Sequence, residues 1–134
     1  MTRLTVANLA GLKAGVRRPA YDRARLTPGI VHLGLGAFAR GHLCEYTEDA
    51  LELDFGAWGV TGASLQRPDQ RDRLAPQDGL YTLLKRAPAG PELRIIGCIG
   101  EVLVAPESPA ALIARIAAPG TRIVSLTVTE KGYC

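Results

Sequence analysis

Apolar residues along this chain alternate between short unbroken runs and spaced stripes, and that alternation predicts a layered α/β architecture. Ile30-Val31-His32-Leu33 is short, β-branched and apolar, the pattern of a buried strand. From about Arg40 the rhythm changes. Leu43, Tyr46, Thr47, Ala50 and Leu51 recur at the i, i+3, i+4, i+7, i+8 spacing of a helix face, with Glu45, Glu48, Asp49 and Glu52 on an opposite, wet face and Phe55-Gly56 as the stop. Trp58 to Leu65 reads as a second strand whose glycines mark a close approach by another backbone or a ligand. Pro68 to Leu74 is short and polar, a helical turn or two opened by Pro68. Leu80–Leu84 and Leu93–Ile96 flank a Pro/Gly turn and predict an antiparallel hairpin. Glu101–Val104 continues or follows its second strand, with Gly97 and Gly100 at bends or bulges. Ser108 suits an N-cap and Pro109 the first helical position, ahead of the stripe Leu112, Ile113, Ile116, Ala117 and the stop Pro119-Gly120. Arg122 to Val128 is the final strand.

Strand, helix, strand, hairpin, helix, strand is the order of an α/β fold: a partial Rossmann-like parallel sheet with flanking helices, right-handed crossovers and an inserted antiparallel hairpin. Residues 1–29 are basic and punctuated by Pro and Gly. They read as an N-terminal arm with one helical turn at Val6, Leu9 and Leu12, lying across the body and ending in a turn at Thr27-Pro28-Gly29. Residues 30–134 then form the domain itself.

Composition narrows the function classes. At 134 residues and 47% hydrophobic, the chain suits one domain with a real core. A net charge of +3 with scattered arginines argues against a nucleic-acid partner. No apolar run approaches the roughly 18 residues of a membrane span, and Met1 begins no signal-peptide pattern, so a cytoplasmic protein is expected. Cys44, Cys98 and Cys134 share no C-x-x-C spacing and suit reduced thiols; with His32 and His42 as the sole histidines, no metal site is expected.

The candidate chemistry sits in Gly34-Leu35-Gly36-Ala37-Phe38-Ala39. Gly34 permits a sharp turn, Gly36 leaves room for a pyrophosphate to approach the backbone, and Ala39 is small enough for helix and strand to meet. Amides at the helix start then face the anion. Arg40, a cation opposing the helix dipole, is either a phosphate contact or a surface partner of Glu45 or another carboxylate. Phe38 either covers the pyrophosphate or joins the core, the core being favoured. His42 either faces the cleft or is simply exposed, and His32 is structural. After the second strand, Asp69 can reach an adenosine ribose, unless it is only a helix-start carboxylate, and Arg67 can instead meet a 2′-phosphate. NAD and NADP therefore both stay open as cofactors. Thr129, Glu130 and Lys131 leave the last strand at the ligand edge, and Glu130 with Lys131 can equally be a local ion pair. No nucleophile triad is present in the pattern.

Four stretches carry a resemblance: Gly29 to His42, Trp58 to Leu65, Leu74 to Leu83, and Thr127 to Tyr133. Tyr21-Asp22-Arg23 in the arm fits as well. In these the chain resembles the N-terminal part of the mannitol dehydrogenase family, long-chain polyol dehydrogenases that include mannitol 2-dehydrogenase and fructuronate reductase. One departure is Ala39, where a bulkier residue, often His, is expected. The resemblance implies NAD(P)-dependent hydride transfer between a sugar alcohol and a ketose. It places the catalytic lysine, with its Asn and His helpers, in a later segment and a helical C-terminal domain absent from these residues. Only cofactor positions carry over: Gly34, Gly36, Phe38, Arg40 and Asp69, with no catalytic residue. The expected cofactor is NAD, with NADP open, and the truncated sheet implies self-association through uncovered faces. The alternative is an inactive module that only binds nucleotide or serves structure.

Overall fold

In a computed structural model describing residues 2–133, the chain opens with a 3₁₀ turn at Val6–Gly11 and a two-residue strand, β1 (Val16–Arg17). Strand β2 (Pro28–Leu33) leads through the glycine loop into a π-helical stretch, Ala39–Leu43, and helix α1 (Cys44–Leu53). Strand β3 (Gly59–Ser64), the short helix α2 (Asp69–Leu74), the hairpin β4 (Tyr81–Ala87) and β5 (Gly90–Ile96), and β6 (Ile99–Val104) follow. Helix α3 (Pro109–Ala117) and β7 (Ile123–Leu126) complete the regular elements. Cys134 lies outside the described residues.

Four strands form an all-parallel sheet in the order β6-β3-β2-β7, and β1-β5-β4 form a smaller sheet in which β4 and β5 are antiparallel. The expected pairing of the first two strands is present, with Val31 opposite Thr61 and Leu33 opposite Ala63. β3 is buried along its whole length, as a parallel strand covered on both faces must be. Leu51, Val60, Leu74, Leu80, Ile96 and Ile99 fill the interior, and each such side chain contributes about 1.5–3 kcal/mol. Gly100 is the expected bulge: β3 runs past β6 with a register shift there, Val60 facing Ile99 and Thr61 facing Glu101. Ser108 caps α3, its Oγ accepting from the Ala111 amide at 3.2 Å.

Three expectations are corrected. Thr27-Pro28-Gly29 is not a turn, because Pro28 and Gly29 already belong to β2, and a Cβ on Gly29 would lie 1.8 Å from the Ala57 carbonyl. The helix after the loop begins at Ala37 rather than Arg40, and it ends at Leu53, before Phe55-Gly56. The acidic face of α1 is not wet, because the smaller sheet covers it. Arg94 of β5 is 1% exposed and reaches Asp49 at 2.7 Å, Glu52 at 3.5 Å and Glu45 at 3.7 Å. Lys85 adds a contact to Glu45 at 2.5 Å, and Arg17 one to Glu52 at 2.6 Å. The exposed side of the helix instead carries Tyr46 and Ala50.

Glu48 is fully buried and ties the arm to the core. Its Oε1 accepts from the Tyr21 hydroxyl at 2.6 Å and from the Gly97 amide at 3.0 Å. Arg23 fastens the arm beside it, donating to the carbonyls of Gly97, Asp78 and Ile99 at 2.6–2.7 Å. Cys44 and Cys98 are buried, free thiols in the same region.

Burial pushes the Glu48 carboxyl above the usual glutamate range, against the opposing pull of its two hydrogen bonds. A carboxyl whose pKa is higher folded than unfolded contributes fully below its unfolded value, about 4.3, and loses that contribution as pH rises through the folded value. Thermal melts across this window should therefore show the parent falling relative to Glu48→Gln, whose profile is flatter. Parallel profiles would mean that Glu48 has the same pKa folded and unfolded.

Candidate functional site

The loop after β2 is built by glycines with different duties. Gly34 has φ +84°, the left-handed region; its amide donates to the Ala63 carbonyl at 2.7 Å, and its own carbonyl accepts from the Gly36 amide at 2.7 Å. The chain therefore reverses in a tight turn at the carboxyl end of β2. Leu35 turns inward and is 3% exposed. Beneath it lies Gly62 of β3, where a Cβ would stand 2.6 Å from Leu35 Cδ2. At Gly59 the Thr27 carbonyl makes the close approach, 2.7 Å from a Cβ. Both visitors to the β3 glycines are thus protein groups.

Gly36 differs from all of these. Its φ lies outside the left-handed region, and a Cβ there would meet nothing nearer than the Gly34 carbonyl at 3.9 Å. Neither strain nor packing requires glycine at this point, and the space beside it is open. The helix starts one residue later. Its first-turn amides at Ala37, Phe38 and Ala39 have no intrahelical acceptor available. The Arg40 amide closes the first helical bond, to the Gly36 carbonyl at 3.1 Å, and Arg40 Nε approaches the same oxygen at 3.3 Å. Glu45, the surface partner considered for Arg40, is engaged by Lys85 and Arg94 instead. The small Ala39 is 1% exposed within the core, as expected of the residue where helix and strand meet.

Phe38 does not join the core. It is 63% exposed, with its ring centroid 4.5 Å from that of the exposed His42. The first turn points it outward, while Ala39 takes the inward position. Phe38 instead walls a depression of about 550 Å³, with His32, Leu43, Ser125, Thr127 and Thr129 among its other lining residues. His32 is buried between strands, its Nδ1 2.8 Å from Ser125 Oγ and its Nε2 3.3 Å from Thr127 Oγ1 on the β7 side. Burial pushes its pKa down, which keeps the imidazole neutral, with one nitrogen donating and the other accepting.

The structure thus brings Phe38 of the loop and Thr129 beyond β7 to one depression, with Gly34, Gly36 and Arg40 on the adjoining loop and first turn. Asp69 is not among the lining residues. It is exposed at the start of α2, five residues beyond the end of β3 and on the same edge of the sheet. Lys131 lies in the terminal 3₁₀ turn, while the Glu130 side chain, and with it the considered ion pair, lies outside the described residues. One contributor stood in the sequence only as part of a longer matching stretch. The Tyr81 hydroxyl donates to the Arg40 carbonyl at 2.6 Å.

From β2 the sheet extends to β3 and β6 on one side and to β7 on the other. The loop and the depression sit where that order reverses, the crevice in which open α/β sheets take ligands. A parallel sheet with a glycine turn and a helix N-terminus at this switch point defines the Rossmann class.

Comparison with known proteins narrows the class. The mannitol dehydrogenase Rossmann domain matches residues 28–133, and the chain belongs to that family. It is 45% identical over 134 residues to a mannitol 2-dehydrogenase of Pyrenophora tritici-repentis, covering 98% of this chain and 24% of that one. A mannitol 2-dehydrogenase of Cereibacter sphaeroides is 46% identical over 121 residues, covering 88% and 25%. Among solved structures, Pseudomonas fluorescens mannitol 2-dehydrogenase in ternary complex with NAD and D-mannitol superposes with a TM-score of 0.92 at 42% identity, covering 99% of this chain and 28% of that one. A D-sorbitol dehydrogenase in substrate-free form gives 0.86 at 37% identity, covering 97% and 28%. The chain spans about a quarter of the length of the curated relatives it matches.

Proposed function

We propose that this chain is the NAD-binding portion of a polyol dehydrogenase, which moves a hydride between the nicotinamide and a sugar alcohol or ketose. The open space at Gly36, beside the first-turn amides, carries the reading. Such a cradle fits a pyrophosphate, because the amides supply donors and the missing Cβ supplies room. Gly34 shapes the turn, Arg40 offers a cation at the same helix end, and Phe38 and Thr129 wall the adjoining depression. Asp69, further along the edge, takes the adenosine ribose, which favours NAD over NADP. The bound cofactor supplies the hydride chemistry, while these residues bind and orient it.

The mannitol 2-dehydrogenases among the relatives support a mannitol–fructose substrate pair ahead of a mannonate–fructuronate pair. A general base from residues beyond these 134 completes the reaction. No helix among the described residues is long and apolar enough to cross a membrane.

The full-length protein should bind NADH and reduce NAD when given mannitol. Residues 1–134 alone should give no mannitol-dependent NADH, since placed acid–base groups supply about 10²–10⁴-fold of rate. Turnover by the isolated segment, free of contaminating enzyme, would place the catalytic groups within it. Failure of the full-length protein to bind NADH would leave the inactive structural module as the reading.

A further inference from the structure

The π-helical stretch Ala39–Leu43 has a specific consequence for the loop. In an α-helix the Cys44 amide would bond to the Arg40 carbonyl; here it reaches one residue further back, to the Ala39 carbonyl. The Arg40 carbonyl is thereby released from the helix ladder. Tyr81, the first residue of the inserted hairpin, fills the gap with its hydroxyl at 2.6 Å. Its ring packs against the core cluster and its hydroxyl lies in a partly buried setting, so the donor is held in place.

Arg40 is consequently fixed at three atoms: its amide and Nε on the Gly36 carbonyl, and its carbonyl on Tyr81. These bonds bracket the turn whose amides form the cradle. We propose that Tyr81 is a positioning residue for cofactor binding, holding the wide turn so that the Ala37–Ala39 amides and Arg40 keep their places beside Gly36. The inserted hairpin then serves the cofactor edge from outside the parallel sheet. This inference rests on the cofactor reading above.

Tyr81→Phe keeps the ring and removes the donor. In the full-length protein it should weaken NADH binding about tenfold, the scale of an unpaired buried carbonyl. KM for NAD should rise with it while kcat stays near the parent value. Tyr21→Phe is the control, because it removes an equally short hydroxyl contact, to Glu48, away from the loop. It should lower the melting temperature and leave NADH affinity alone. Replacing Tyr81 by 4-aminophenylalanine restores an N–H donor and should return affinity to within about threefold of the parent.

Hydrogen exchange without cofactor should quicken for residues 40–44 in Tyr81→Phe but not in Tyr21→Phe. Parent-like NADH affinity in folded Tyr81→Phe overturns the inference, as does equal weakening by both variants. Should Tyr81→Phe not fold, loss of affinity in a folded 4-aminophenylalanine variant does the same. A parent protein that fails to bind NADH instead removes the cofactor reading and this role together, while the exchange data still report whether the hydroxyl holds the turn.

Discussion

Gly36→Val should weaken NADH binding by the full-length protein on the order of 100-fold while leaving its melting temperature almost unchanged. The separation of the two effects follows from where the new atoms go. In the protein alone, a Cβ at Gly36 meets only the Gly34 carbonyl, at 3.9 Å, so the expected stability change is within about 1 kcal/mol. With cofactor present, the branched side chain occupies the space beside the first-turn amides. Losing one or two charge-assisted hydrogen bonds, at about 1.5–3 kcal/mol each, accounts for that fold-change. Gly34→Val makes the contrast. At φ +84° a β-branched residue is strained, so stability should fall by about 1–3 kcal/mol, whatever happens to the cofactor. Isothermal titration with NADH beside thermal melts separates the pair. Normal melting with parent-like affinity in Gly36→Val would make Gly36 merely a turn residue and move the search to Thr129 and its neighbours.

The second large effect concerns folding. Arg94→Met should destabilise the protein by about 3 kcal/mol or more, a drop of roughly 10 °C in melting temperature. Arg94 is buried, and Asp49, Glu52 and Glu45 all lie within 4 Å of its guanidinium. Methionine fills much of the volume but leaves three carboxylates crowded without their shared cation. Lys85 meets one of the same acids from a side chain 41% exposed, so Lys85→Met should cost under about 1 kcal/mol. Equal losses in the two variants would show that burial adds nothing to the Arg94 interaction.

These two sites also mark what can be read in the sequence. The parallel strands are legible because β2 and β3 are buried along most or all of their length and so appear as short runs free of charged residues. The glycine loop is legible because the turn at Gly34, at φ +84°, demands glycine and the buried helix start at Ala39 demands a small residue. The α1 surface is misread because carboxylates imply solvent until a partner is found. That partner, Arg94, stands some forty residues away inside an apolar run, Leu93 to Ile96; a lone arginine there is the one local sign of a buried ion cluster. Phe38 is misassigned for a related reason. An aromatic ring predicts burial, yet helix phase gives the inward place to Ala39. The π-turn has no signature in the apolar spacing, and the Tyr81 hydroxyl that meets the Arg40 carbonyl stands on a different sheet.

The short strand of the arm has a consequence for the order of folding. Val16 pairs with Leu93 and Arg17 with Arg94, and Tyr21 and Arg23 grip Glu48 and the Gly97 carbonyl. These seats are spread over β5, α1 and the Gly97 turn, so the whole arm finds them together only once the hairpin and α1 have met. Closing so long a stretch of chain is entropically unfavourable, and non-local contacts of this kind form slowly. The arm should therefore dock late, which hydrogen exchange during refolding would show as slow protection of residues 16–25: a segment ahead of the sheet in the chain, yet behind it in time.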